Sequence, residues 1–443
     1  ANCTDGSINL LLSLTPLSRG RTMFLSKSAW FFALLASSAN VSLAAISEDG
    51  ICRANCTDDI CTFTAKVNLY AGELGYFQFD ECEGALSPTL GMEIGKTYNF
   101  IQADRTNYFH PLGFAYFPDG DHAGADELEP GIVPPGSSSD CATNMTCPAP
   151  MYLQDGEYLG TYSNDATVAT PSFGEDNFGL DDYEPKFFHP MPEWSSYGNF
   201  SISLKFTVED YERDIFYFCH IHQFMTGRIK LLKNDVQIQP NEDLPELGYR
   251  YDFEDNGLSE FDEQCGTFGL DDFQLPHLEC PSKFVCNVPE ENSQIAQFSA
   301  CIDAMDCFMV AGMTTGVKAN SVVALFIHQM IPHHQNAVNM AKALLKTGEL
   351  NCDNLEDETD DCVMETILYD IVNGQNAQIQ SMRAILEGEN YPPVDDCQVN
   401  IMLETTNGGA AKYYTSSAKN QSFAATNTLG FIIIAGLVAS IML

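Results

Sequence analysis

Alternation of apolar and polar residues is the clearest pattern in the first half of the chain. It runs through short segments separated by passages rich in Gly, Pro and Asp. Side chains of a strand point to opposite faces in turn, so this period of two predicts strands with one buried face. Several short strands with turn-rich connections predict a β-sandwich or a Greek-key barrel. The segments are 65–79, 97–103, 110–118, 199–208, 214–218 and 228–232.

The period changes to that of an α-helix in the second half. Residues 321–350 and 362–388 place apolar side chains three and four positions apart, which is typical of amphipathic helices. Residues 293–313 follow the same pattern and predict a third helix. Together these segments predict a small helical bundle.

The fold class predicted from both patterns is a multidomain β and α protein. The predicted division of the chain has five consecutive segments. They are an upstream extension with a signal peptide (1–45), a β region (46–235), an acidic linker tied by disulfides (236–295), a helical region rich in His and Met (296–397), and a polar spacer with a C-terminal anchor signal (398–443).

Both ends of the chain have the pattern of targeting segments. Met23 begins a stretch in which Lys27 precedes an apolar run and small residues near Ala45, the order of a secretory signal peptide. Residues 429–443 are apolar and follow small residues at 416–418 and a polar spacer, the order of a glycolipid anchor signal. A tail-anchored helix is the alternative, although the run is shorter than the about 20 residues of a membrane span. Glycosylation sequons, as expected of a secreted chain, begin at Asn55, Asn144, Asn199 and Asn420.

Charge and cysteine content narrow the possible functions. The formal charge of −40 argues against nucleic acid, because phosphate binding needs clustered Lys and Arg. Once Cys3, ahead of the signal peptide, is set aside, six cysteines precede Cys219 and eight follow it. Secretory compartments pair exposed thiols, so this parity favours Cys219 as the free thiol and the others as disulfides.

Cys219 lies in a stretch that places several soft metal ligands close together. Cys219, His222 and Met225 follow the spacing C-x2-H-x2-M, and a loop between two strands can turn all three side chains toward one point. One thiolate, two imidazoles and a weak axial thioether are the ligands of a blue-copper site. The second imidazole has to come from elsewhere in the chain. His110, which follows a predicted strand, is favoured over His189, which lies in an irregular insert rich in Gly, Pro and Asp at 118–195.

This loop resembles the ligand loop of the small cupredoxins, closest to the amicyanin type, over roughly residues 60–235. The resemblance implies a Greek-key β-barrel and one copper held by His110, Cys219, His222 and Met225. His220 directly follows the cysteine, as in multicopper oxidases. The chain has only nine histidines and a single H-x-H pair, which disfavours a coupled copper cluster.

A second set of soft ligands lies in the predicted helix at 321–350. Met330 and His333 are three residues apart, and His334, Met340 and His328 lie nearby along the helix. Thioethers and imidazoles suit copper, Cu(I) especially. The alternative is that the methionines are ordinary core residues. A di-iron centre of the ferritin type is disfavoured, because no histidine has a glutamate three residues before it.

The same helix, with the one that follows, resembles a ferritin-like helical family known as domain of unknown function 305, over about 296–390. The resemblance implies a four-helix bundle and copper binding, since that family has copper-binding members, and it does not establish an enzyme. The motif residues are Met330, His333, His334, Ala337, Met340, Ala341, Gln375, Ile379 and Met382.

Together these features predict an extracellular, surface-anchored copper protein. The expected function is type 1 copper electron transfer coupled to copper capture or storage by the helical region. Expected partners are copper ions, an unidentified redox partner and the membrane, with no nucleic acid. The alternatives are an electron carrier with a purely structural helical region, a copper-dependent oxidase, and a disulfide-rich surface protein without metal. The predicted ligands are His110, Cys219, His222, Met225, His328, Met330, His333, His334 and Met340.

Overall fold

The computed structural model describes most of the chain between residues 46 and 397. The predicted signal peptide, within 1–45, and the predicted anchor, 429–443, lie outside the described residues. The described ranges are 46–144, 146–161, 178–207, 211, 213–238, 258–280, 282–289 and 293–397, with two further strands at 400–402 and 413–415.

Short strands form the first half of the described chain, as the alternating pattern predicts. The longest of them buries every second residue along most of its length, so one face points to a core. The strands are β1 (Cys52–Arg53), β2 (Asn55–Thr57), β3 (Ile60–Asn68), β4 (Tyr76–Phe79), β5 (Leu90–Glu93), β6 (Thr97–Gln102), β7 (Leu112–Ala115), β8 (Met151–Gln154), β9 (Glu157–Tyr158), β10 (Phe200–Lys205), β11 (Ile215–Cys219), β12 (Thr226–Lys233) and β13 (Val236–Gln237).

These strands form two sheets. The first has the order β1-β5-β12-β11-β7 with β13 beside β12, and the second has the order β2-β3-β6-β10-β8-β9 with β4 beside β3. Strand β12 runs antiparallel to β11 and parallel to β5, and β3 runs parallel to β6. The prediction of a β-rich region is confirmed, whereas the two sheets show no closed barrel among the described residues.

Aromatic side chains fill the space between the two sheets. The rings of Phe100 and Phe114, one from each sheet, have centroids 4.8 Å apart, and those of Phe79 and Tyr217 are 5.2 Å apart. All four side chains are almost fully buried, and burial of such rings is a large hydrophobic contribution. Strand β11 is buried along its whole length. It lies between β12 and β7 in its sheet, and Gly120 closely approaches the Phe218 ring.

Three long helices form the helical region, as the sequence predicts. Ser293, Ser321 and Thr359 cap them, each accepting a hydrogen bond from the backbone N–H three residues on. A four-helix bundle is not confirmed, because the remaining helix near them is only six residues long. The helices are α1 (Cys141–Asn144), α2 (Leu180–Tyr183), α3 (Met191–Ser196), α4 (Glu260–Cys265), α5 (Gln294–Gly312), α6 (Val322–Thr347) and α7 (Asp360–Gly388).

Six disulfides brace the described chain, and two of them tie the predicted linker to α5. The prediction that Cys219 stays free is matched by a buried thiol. The prediction that all other cysteines pair is wrong for Cys286 and Cys397, which are also unpaired. The pairs are Cys52–Cys82, Cys56–Cys61, Cys141–Cys147, Cys265–Cys301, Cys280–Cys307 and Cys352–Cys362.

Helix α5 is the one described helix long and apolar enough to cross a membrane by length and composition. It packs against α6, and Cys301 and Cys307 join it to the segment that contains α4.

The helical region packs directly on the β region. One continuous hydrophobic core extends from the sheets to Val338 and Val372 in α6 and α7. Polar contacts surround it: the Arg105 guanidinium donates to Glu365 at 2.6 Å, and Arg383 donates through both terminal nitrogens to Glu73 at 2.9 and 3.1 Å. The two regions therefore form one packed unit, and α7 lies against the end of the sheets where β11 meets β12.

Candidate metal centre

The predicted metal loop connects two antiparallel strands. Cys219 is the last residue of β11, and its N–H donates to the Met225 carbonyl at 3.0 Å, which closes the loop before β12 begins. Phe224 has a positive φ of 67°, and its N–H donates to the buried Asp119 carboxylate at 2.9 Å. Asp119 therefore holds the loop in a backbone conformation that a phenylalanine rarely adopts.

A glycine is required where the loop enters β12. A Cβ at Gly227 would overlap the Tyr217 ring, which packs across the two paired strands. The backbone there has no positive φ, so the requirement is close approach of a side chain and not backbone freedom.

His110 reaches the same point from a separate turn ahead of β7. Its N–H donates to the Asn107 carbonyl at 2.8 Å, and its own carbonyl accepts from the Gln102 side chain at 2.7 Å. The Gln102 side chain also accepts from the Leu112 N–H at 3.0 Å, so one buried amide holds both sides of the turn. Backbone and side-chain hydrogen bonds therefore hold His110 in its turn.

Three donor atoms converge in the interior between these two segments. The Cys219 Sγ lies 3.7 Å from His110 Nδ1 and 3.7 Å from His222 Nδ1. All three side chains are buried, and the two imidazole centroids are 4.7 Å apart. Metal bonds to imidazole nitrogen and thiolate are about 2.0–2.3 Å long, so donors with this separation suit a single ion.

The ring edges turned away from the sulfur have partners on α7. His110 Nε2 lies 3.1 Å from the Asn373 side-chain oxygen, and His222 Nε2 lies 3.2 Å from the Asn373 carbonyl oxygen. Metal-binding histidines usually make such a hydrogen bond through their second nitrogen. Both imidazoles therefore have the outer hydrogen bond that is usual for a metal-binding histidine.

Burial sets the charge of this cluster. It lowers the pKa of His222 to about 4 and places the pKa of His110 well below its usual value, so both imidazoles are neutral at pH 7. Burial also raises the pKa of the Cys219 thiol to about 12. The main-chain N–H of His222 donates to the sulfur at 3.4 Å and acts in the opposite direction, but its effect is smaller. A thiolate forms here only with a compensating positive charge, and a metal cation supplies one.

Three further residues that the sequence brought into question, Met225, His189 and His220, lie in different surroundings. Met225 is fully buried and lies in the same loop as Cys219 and His222. His189 lies near the surface, where its Nδ1 contacts the Tyr197 hydroxyl at 2.5 Å. His220 points away from the sulfur, with its Nδ1 3.8 Å from Glu127 Oε1.

The second predicted set of ligands lies on α6, where one of its five members is set apart from the rest. With 3.6 residues per turn, Met330, His333 and Met340 lie on one side of the helix, His334 lies at the edge of that side, and His328 lies opposite. His333 and Met340 are exposed, whereas His334 and Met330 are half-buried. The Nδ1 atom of His334 is buried and has no hydrogen-bond partner among the described residues.

His328 is buried on the other side of α6. Burial lowers its pKa, while Asp395 and Asp396 act in the opposite direction. It lies close to Asp395 and Asp396, near the end of the helical region. A separate group of potential ligands, His277 with Cys280 and Cys307, has its two sulfurs already joined as a disulfide.

Sequence reasoning missed the residues that support the candidate metal centre from other elements. Asn373 and Gln380 on α7 are buried polar side chains that bond to the metal loop or its ligands, and Asp119 and Gln102 brace the ligand turns. The available signal was a line of polar residues at helical spacing within the apolar face of α7, including Glu365, Asn373, Asn376 and Gln380.

The protein thus has a β-rich region that contains a buried His-His-Cys cluster, and this region is joined to a helical domain. The helical part matches the family described as "Domain of unknown function (DUF305)" in two overlapping stretches, residues 304–386 and 324–427. The C-terminal region therefore contains a DUF305 domain. No curated protein and no solved structure matches the chain.

Proposed function

We propose that the β region binds one copper ion and exchanges single electrons through it. His110, Cys219 and His222 would hold the ion, and the Met225 thioether would add a weak ligand from the same loop. The observation that carries this proposal is the convergence of three buried donor atoms, with a sulfur 3.7 Å from each imidazole Nδ1. When bound, the copper supplies a one-electron couple between Cu(II) and Cu(I).

The donor set favours copper over zinc. Structural zinc sites use four strong ligands, commonly several thiolates, whereas this cluster offers one thiolate and two imidazoles beside a thioether. The donors are held by backbone and side-chain hydrogen bonds on three sides, so they move little when the charge of an ion between them changes. A rigid ligand set suits electron transfer.

A second, weaker copper site on α6 would capture or store the metal. Met330, His333, His334 and Met340 offer soft ligands on an open side of the helix, and His334 Nδ1 lacks a hydrogen-bond partner in the described chain. An exposed site exchanges metal more readily than a buried one. The helix geometry leaves His328 out of this proposal.

The proposed setting is the outer surface of a cell. The six disulfides favour an oxidising compartment, and the sequence at both ends predicts secretion followed by anchoring to the membrane. The expected partners are copper ions and a redox partner. The acidic surface suits attraction of cations.

Copper content and visible absorption of the secreted protein test this function. After Cu(II) is added and loosely bound metal is removed by dialysis, we expect one tightly held copper and the intense colour of a thiolate–Cu(II) site. Protein that stays colourless and free of copper would rule the proposal out. Oxygen consumption with Cu(I) or a phenol would favour an oxidase instead.

A further inference from the structure

Helix α7 contributes one residue that contacts both proposed imidazole ligands. The Asn373 side-chain oxygen faces His110 Nε2 at 3.1 Å, and its main-chain oxygen faces His222 Nε2 at 3.2 Å. The Asn373 side-chain nitrogen donates to the Tyr108 carbonyl at 3.0 Å. The asparagine is 1% exposed, so water does not compete for these hydrogen bonds.

These contacts determine which nitrogen of each imidazole carries the proton. A main-chain carbonyl can only accept, so the Asn373 NH2 group must face Tyr108 and its oxygen must face His110. The oxygen then accepts from His110 Nε2–H. The Asn373 carbonyl likewise accepts from His222 Nε2–H. With Nε2 donating in each ring, Nδ1 is the nitrogen left to bind a metal, and both Nδ1 atoms lie 3.7 Å from the Cys219 sulfur.

We propose that Asn373, in the DUF305 domain, is the positioning residue of the copper site in the β region. It holds both ligand imidazoles in the tautomer that binds metal, so the site is complete only when the helical domain is docked. The inference rests on the proposed function for the identity of the metal. The tautomer assignment itself concerns the metal-free protein.

Contacts on either side of Asn373 hold α7 in register with the metal loop. Gln380 forms a reciprocal pair with the backbone of Gln223, donating to its carbonyl at 2.9 Å and accepting from its N–H at 3.1 Å. On the other side, Asp370 accepts from the Tyr108 hydroxyl at 3.0 Å. A shift of one residue along α7 would break both contacts and remove Asn373 from the imidazoles.

As a consequence, the hydrogen bonds to the second nitrogens of both ligand imidazoles come from a different domain. An acceptor on the second nitrogen makes an imidazole a better donor to the metal and fixes its ring plane. Loss of such an acceptor typically lowers metal affinity by about 10–100-fold. His110 depends on the Asn373 side chain, whereas His222 depends only on the main chain.

The test compares Asn373→Ala with Asn373→Asp and Ser381→Ala in the full secreted chain. Ring 15N NMR of the metal-free proteins reports the histidine tautomers, and competition titration with Cu(II) reports affinity. In Asn373→Ala we expect His110 to lose its single Nε2–H tautomer while His222 keeps it, with Cu(II) affinity lowered about 10–100-fold and a shifted visible band. Asn373→Asp keeps an acceptor and should keep the His110 tautomer.

The matched control is Ser381→Ala, an exposed residue of α7 whose hydroxyl donates to the Ala377 carbonyl of the same helix. It should leave both tautomers and the visible band as in the wild type. An Asn373→Ala protein with unchanged tautomers and unchanged affinity would overturn the positioning role and leave the copper function intact. If the wild type binds no copper, the proposed function fails, and the NMR comparison still decides whether Asn373 sets the tautomers.

Discussion

The two candidate copper regions differ in how their ligands are held. In the β region the donors come from two distant segments, are buried, and have their outer ring nitrogens bonded to Asn373. On α6 the donors come from one helix, and His333 and Met340 are exposed. A fixed, dry ligand set favours a single redox ion, and an open helix face favours exchange. The comparison teaches that burial and outer hydrogen bonds, more than ligand type, separate the two proposed roles.

The largest expected effect is the loss of the buried site on removal of its sulfur. Cys219→Ser should abolish tight copper binding and all thiolate-derived colour, because a hydroxyl neither ionises nor binds copper comparably. Copper analysis and visible spectra of dialysed protein provide the measurement. The exposed Cys286→Ser is the matched control and should keep both properties. A coloured Cys219→Ser protein would remove the β region from the account.

The second-largest expected effect is a loss of stability caused by overpacking beside the loop. Gly227→Ala places a methyl group against the Tyr217 ring and should lower the free energy of unfolding by about 1–3 kcal/mol, as overpacking does. Val322→Ala at the exposed start of α6 should change it little. Urea unfolding of the metal-free proteins measures both. Equal stability of Gly227→Ala and the wild type would contradict the tight packing described around the loop.

A buried carboxyl near the metal loop makes stability depend on pH. Burial raises the pKa of Glu127 from 4.5 to about 8, so the folded protein binds more protons than the unfolded chain between these values. Stability from this group is present below about pH 4.5 and is lost as the pH rises toward 8. Glu127→Gln should therefore be more stable than the wild type at pH 8, by about 1–3 kcal/mol, and not at pH 4. Unfolding curves of both proteins at the two pH values measure this, and parallel pH dependence would contradict it.

The smallest expected effect concerns the open site on α6. His333→Ala combined with His334→Ala should remove the weakly held copper and leave the coloured copper in place. Equilibrium dialysis at graded copper concentrations measures the weaker binding. His189→Ala is the control, because it removes a histidine that lies near the surface and far along the chain from α6. Unchanged total copper in the double variant would make the helical domain a structural partner only.

Local chemistry made much of the fold and part of the site predictable. Period-two segments predict the strands, and Ser293, Ser321 and Thr359 stand where helix caps are expected. The spacing of Cys219, His222 and Met225 placed three proposed ligands in one loop because a short loop leaves their side chains few directions.

The rest depends on contacts between distant parts of the chain. Asn373 becomes an outer partner of the imidazoles only because α7 docks on the loop. The line of polar residues on α7 indicates a polar contact, but it does not say which residues that contact meets. Parity correctly favoured a free Cys219 and wrongly paired Cys286 and Cys397, because an even count does not place two thiols together. The prediction of a four-helix bundle came from the resemblance to a family. The number of helices that pack together depends on contacts between distant residues, which the local sequence does not give.

X-ray absorption at the copper edge tests the central claim most directly. The sample is the copper-loaded His333→Ala, His334→Ala protein, in which only the buried site should retain metal. The account predicts one sulfur at a short thiolate distance and two nitrogen ligands around each copper. Copper surrounded by nitrogen and oxygen alone, with the Cys219 sulfur unbound, would contradict it.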